Sequence, residues 1–201
     1  MATGNLSAAM LFGVKNDSNV YAFDTANQTA GADYSFTNGN LTSASSVAVG
    51  QDGLVYVFNE TDGKVLRFNQ NGTYVDVFSN TTGGSNNDGT VSSMVFDSSG
   101  NLYMLGQTFT GSAFDPWIYK LDATTGAQSA RIDSGVPTGG YQSLAFSNTG
   151  DIYLASLNFG NSYLYRLNSS GAYQETLLTN STTPVFDGPF SIINGSNADT
   201  L

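Results

Sequence analysis

The strongest constraint on this chain is internal repetition at a spacing too long for a hairpin and too short for a domain. Aligned on one tyrosine, the units place Tyr56, Tyr103 and Tyr153 at intervals of 47 and 50 residues. In each unit a serine opens an apolar run: Ser46-Val47-Ala48-Val49, Ser93-Met94-Val95-Phe96 and Ser143-Leu144-Ala145-Phe146. A turn glycine follows (Gly53, Gly100, Gly150), then the tyrosine run "LVYVF", "NLYML" or "DIYLA". After a loop come "KVLRFN", "WIYKLD" and "YLYRLN", and beyond Gly72, Gly126 or Gly171 come "TYVDVF", "AQSARI" and "AYQETL". Four short strands per unit, divided by Gly, Asn and Asp turns, predict β-propeller blades. The inner runs are apolar at consecutive positions, as they must be when each sheet packs on both faces.

The chain ends complete the pattern. "NVYAFD" (19–24) aligns with "KVLRFN", so "AAMLFG" (8–13) takes the second-strand place and the first unit lacks its own first strand. "FSIIN" (190–194) reads as a first strand with no blade after it. The expected fold is all-β, one domain over residues 1–201: a β-propeller of about four four-stranded blades, its ring closed by pairing of the N- and C-terminal segments. The units fall at approximately 8–36 plus 190–194, 45–79, 92–131 and 142–178. Closure removes exposed sheet edges. The alternative architecture is a segment of a larger propeller.

"GQDGLVYVFNETDGKVLRFNQNGTYVDVF" (50–78) resembles an NHL-type propeller repeat, in which an Asp-Gly turn leads into an aliphatic-Tyr-aliphatic strand and an Asn-Gly turn into the outer strand. The resemblance implies the architecture and a family range that spans lyases, lactonase-like hydrolases and binding modules. Where that family usually carries Arg-Ile near the third strand, this chain has Val65-Leu66, Ile118-Tyr119 and Leu164-Tyr165. The hydrolases' metal sets of His with Glu or Asp have no counterpart, because the chain contains no histidine.

Charge and composition narrow the chemistry. Sixteen acidic residues against 6 basic ones give a net charge of −10, which repels phosphate backbones and anionic lipid surfaces, so nucleic acid is not an expected partner. No stretch approaches the ~20 apolar residues of a spanning helix, and membrane insertion is not expected. The opening "MATGNLSAAMLFGV" has no basic n-region and only a short apolar run, so no signal peptide is read there. With no Cys and no His, disulfide, thiolate and imidazole chemistry are excluded, and neither a metal nor a cofactor is expected. "SNNDGT" (85–90) has oxygen-rich side chains suited to Ca²⁺ but lacks the regular acidic spacing of an EF-hand loop and reads as a flexible Asn/Asp/Gly loop. Frequent Asn-X-Ser/Thr sequons, among them Asn59, Asn71 and Asn180, are compatible with an extracellular or virion setting.

Near the first turn, Asp52, Asp97 and Asp151 suit a bend whose backbone N–H groups they can accept. Asp24, Asn69, Asp122 and Asn168 have the same role at the second turn, and Arg67, Lys120 and Arg166 share a third-strand position. The loops that differ between units are the informative ones. In an up-and-down blade the second-to-third and fourth-to-next-first connections share one face, which gathers Phe109, Phe114, Asp115, Trp117, Tyr141, Phe159, Asn161, Tyr163, Phe186 and Asp187. Rings with amides and carboxylates between them suit a protein subunit or a glycan; the competing role for each ring is packing between blades. The expected function is a non-enzymatic binding or structural interaction module, compatible with homo-oligomers or a larger assembly. The alternative is a carboxylate-dependent hydrolase or lyase on polysaccharide or lactone substrates. It would require two convergent acids from Asp88, Asp115, Asp187, Glu60 and a few others, one with a raised pKa.

Overall fold

A computed structural model describes residues 10–25, 34–85, 90–109, 111, 114–133, 135–137, 140–158 and 161–179. Fourteen strands and no helix occur among them, arranged in four antiparallel sheets. The first sheet holds β1 (Met10–Gly13), β2 (Val20–Asp24) and β3 (Tyr34–Phe36); the second holds β4 (Ala44–Val49), β5 (Val55–Asn59), β6 (Asp62–Phe68) and β7 (Tyr74–Ser85). β8 (Thr90–Phe96), β9 (Leu102–Phe109) and β10 (Phe114–Leu121) form the third. β11 (Gly140–Phe146), β12 (Ile152–Asn158), β13 (Asn161–Leu167) and β14 (Tyr173–Thr179) form the fourth. Every sheet meanders in chain order, and the first strands β4, β8 and β11 lie side by side.

Burial falls from the inner strands outward, except in sheet one, where no position of β1 is fully buried. The second strand β5 is buried at every position, whereas the outermost β14 is exposed beyond Tyr173. Among the described residues, apolar side chains of neighbouring sheets meet in three cores, with sheets two and three contributing from both faces. Val20, Phe36, Val57 and Phe68 join sheets one and two, and Tyr56, Phe78, Met94 and Met104 join two and three. Tyr103, Leu105, Leu154 and Tyr165 join three and four.

The repeat extends to its irregularities. All three described first strands carry a bulge at the same place, between Ala44 and Ser46, Val91 and Ser93, and Tyr141 and Ser143. The serine shared by the units thus marks the residue after an extra one that re-aims the inner strand. The third-to-fourth turns repeat too: Gly126 (φ +66°) and Gly171 (φ +85°) sit where an added Cβ would stand 2.1 Å from the Phe78 carbonyl and 1.9 Å from that of Ile132. Each turn presses on the outer segment of the preceding blade, and only glycine combines that φ with that approach.

Two departures from four strands per unit appear. The second-strand position of unit one is filled by β1 as expected, but residues 190–194, assigned to its first strand and to ring closure, lie outside the described residues. In unit three, "AQSARI" makes no regular fourth strand; apart from a single bridge, Leu121 to Gln128, it follows β10 loosely. Ser129 N–H still donates to Lys120 O and Ile132 N–H to Ile118 O. Pro116, two residues earlier on β10, has no N–H to offer, so a ladder cannot continue along that edge. Side chains take over there.

Candidate functional site

That substitution of side chains for a ladder builds the site. Asp133 is buried and accepts the Ile118 N–H on Oδ1 at 3.3 Å, where a strand carbonyl would otherwise be. Arg131, two residues back, donates from Nε to Asp133 Oδ1 (2.8 Å) and from Nη2 to Asp133 Oδ2 (2.8 Å). Its outer edge grips Asp115, Nη1 to Oδ2 at 2.8 Å and Nη2 to Oδ1 at 3.0 Å, and Nη2 also donates to the Pro116 carbonyl. The bidentate fork holds the Asp115 carboxyl below the usual carboxylate range, and the hydrogen bonds to Asp133 first and Asp115 second raise Arg131 further above its own.

These groups line a cleft of about 320 Å³ with Gly135, Val136 and Tyr141. It opens between sheets three and four, beside the second-to-third connection of one and the fourth-to-first connection leading to the other. The Tyr141 ring is 1% exposed, and burial pushes its phenol pKa up. Its hydroxyl reaches Pro137 O only at 3.5 Å, beyond the range of a good O–H···O bond.

Of the residues assigned to the binding face, Asp115 and Tyr141 come together here. Trp117 does not: it is 3% exposed in the core of sheets two and three, its Nε1 donating to Thr108 Oγ1 at 3.1 Å. Its position, after Pro116 on β10, turns its ring toward the preceding blade. Tyr163 packs at the edge of the core of sheets three and four, stacked 5.7 Å from Tyr165. Phe109 and Phe114 end β9 and open β10 opposite one another, and Asn161 opens β13 opposite Asn158. Phe159, Phe186 and Asp187 lie outside the described residues, as do Asp88 and the closing segment. Arg131 and Asp133 were missing from the expected set. Their signal was present as an Arg-x-Asp in an otherwise uncharged stretch, read as an ordinary outer strand.

The repeated polar positions are structural in the described residues. Asp97 Oδ1 accepts the Ser99 and Asn101 N–H groups, and Asn168 Oδ1 those of Ser170 and Ala172. In unit four Ser147, not Asp151, closes the first turn, accepting the Asp151 N–H at 3.0 Å. Arg67 and Arg166 pair with their register partners on the outer strand, Asp76 and Glu175. Lys120 faces Ser129 there and reaches Asp97 instead. Among the described residues no cluster of acidic side chains is arranged to hold a metal.

No protein-family model matches the chain, and no curated protein sequence matches it. Solved structures do. A chain of a nidogen/laminin complex is similar at a TM-score of 0.61 with 13% identity, covering 86% of this chain and 62% of that one. YCF48 bound to D1 peptide is similar at 0.61 with 14% identity, over 96% of this chain and 57% of that one. The virginiamycin B lyase from Staphylococcus aureus reaches 0.53 with 13% identity, over 85% and 56%. The chain thus spans about three fifths of the length of these similar structures. They are propeller-type proteins, and this chain has the fold of a β-propeller repeat protein.

Proposed function

We propose that the chain is a non-enzymatic protein-binding module, a component of an extracellular or virion assembly, which holds its partner on the loop face around the cleft between sheets three and four. The observation that carries this reading is the state of the cleft's charges. Asp115 is held ionised by Arg131, and Asp133 accepts three N–H bonds. A general acid needs a carboxyl whose pKa is raised, the opposite of what Arg131 does to Asp115. The cleft is therefore suited to recognition and poorly suited to the carboxylate-dependent hydrolase. Two of the similar structures carry protein ligands in their names, laminin with nidogen and the D1 peptide with YCF48, which supports the same class of partner. Phe109, Phe114, Phe159, Asn161, Tyr163, Phe186 and Asp187 are proposed to border the contact.

The test is panning of a random-peptide phage library on the immobilised chain, alongside a glycan array and a polysaccharide and lactone hydrolysis screen. The reading expects enriched peptides that compete with one another and lose binding in a Phe114→Ser, Phe159→Ser double variant that melts like the parent. Turnover in the screen, or capture of glycans with no peptide enriched, would overturn it.

A further inference from the structure

Resting on that reading, we propose that the cleft receives a basic side chain of the partner, a lysine ammonium or an arginine guanidinium, against Asp115. Acceptors outnumber donors in this cleft. Two carboxylates face one guanidinium, and the two hydrogens of Arg131 Nη2 are shared among three acceptors, Asp115 Oδ1, Asp133 Oδ2 and Pro116 O. Asp115 has lone pairs to spare, since an ionised carboxylate offers about four acceptor sites and only two N–H groups of Arg131 reach it. The side chain of Asp115 is 47% exposed, so an incoming donor can reach it.

Tyr141 is an independent sign of the same ligand. Tyr141 lines the cleft, and among the described residues its hydroxyl has one partner, Pro137 O at 3.5 Å, so the phenol oxygen keeps lone pairs that can accept from an ammonium. Its ring and Val136 supply an apolar wall for an aliphatic stem, the arrangement long cationic side chains favour. Arg131, the cleft's one cation, already donates to Asp115, Asp133 and the Pro116 carbonyl, which leaves it little capacity for an anion.

Charge over the whole molecule points the same way. All 6 basic residues of the chain are described, and Lys15, Lys64, Arg67, Lys120, Arg131 and Arg166 each lie within an ion pair. The charge left over is acidic, and it would draw a basic segment toward the face and repel an acidic one.

The experiment is an NMR titration of the ¹⁵N-labelled full chain with acetyl-Gly-Gly-X-Gly-Gly-amide, X being Lys, Arg, Gln or Glu, with free spermidine as a further arm. The amides of Ile118 and Val136 report, since Ile118 donates to the Asp133 carboxylate and Val136 to the Asp133 carbonyl. The Lys and Arg peptides are expected to move them saturably, at least tenfold more tightly than Gln or Glu, with the effect reversed at high salt and weakened at least threefold by Asp115→Asn. Equal response to Gln, or cation-induced shifts spread evenly over the surface, would overturn the inference. Saturation by spermidine with none by the peptides would also overturn it. The two readings fail separately: panned peptides that occupy the cleft without a basic residue keep the binding module and remove this ligand, whereas basic peptides that bind the cleft while panning enriches nothing do the reverse.

Discussion

At the scale of single residues, the chain uses its few charges as clamps. Asp115 with Arg131 and Asp76 with Arg67 are bidentate pairs, and each guanidinium lowers the carboxyl's pKa in the folded state. An unfolded aspartate titrates near about 3.9, so the stabilisation from each pair is complete above that pH and is lost as pH falls through the lower folded value. Being half-exposed, each pair is worth no more than about 1 kcal/mol. We expect the melting temperature to fall below about pH 4, and Asp115→Asn to flatten part of that fall. An identical pH profile for the variant would show that the pair contributes nothing. With no histidine in the chain, no step near pH 6.5 is expected. The aspartates of the turns were legible in the sequence because a short carboxylate acts on its own neighbours. Arg131 was not, since its three acceptors come from residues up to 16 positions away.

At the scale of strands and turns, regularity was legible and its interruption was not. The shared serines marked the bulged inner strands, and the consecutive apolar positions of "LVYVF" marked a strand buried on both faces. The fourth segment of unit three failed as a strand where the Lys120 and Ile118 N–H groups turn to the side chains of Ser129 and Asp133, which a linear reading of "AQSARI" does not reveal. Trp117, at the head of "WIYKLD", was assigned to the loop face and takes the competing role, packing between blades. The blade contacts give a sharp test at the turn glycines. Gly100 (φ +81°) and Gly126 (φ +66°) both have left-handed backbones, but an added Cβ would meet its nearest neighbour at 3.7 Å in the first and at 2.1 Å in the second. Gly100→Ala should therefore cost about 1–2 kcal/mol from backbone strain alone. Gly126→Ala should cost clearly more, because the Phe78 carbonyl of the neighbouring blade must also move. Equal losses in denaturant melts would mean that the blades do not press together at this turn.

At the scale of the molecule, four sheets packed face to face leave two unlike rims. One carries the short Gly-centred turns at Gly53, Gly100 and Gly150, repeated from blade to blade, and the other carries the connections that differ. Function in repeat folds gathers where units differ, since the shared scaffold fixes the rest. The central claim is that the second rim, at the cleft of Asp115, Arg131, Asp133 and Tyr141, is where a partner is held. Its most direct test compares two added lysines on the full chain: Asp115→Lys inside the cleft, and Asn148→Lys on the exposed first turn of sheet four, at the opposite rim. For the peptides enriched by panning, isothermal titration should show at least a tenfold loss of affinity for Asp115→Lys and none for Asn148→Lys. Unchanged affinity for Asp115→Lys, or a loss confined to Asn148→Lys, would contradict the account.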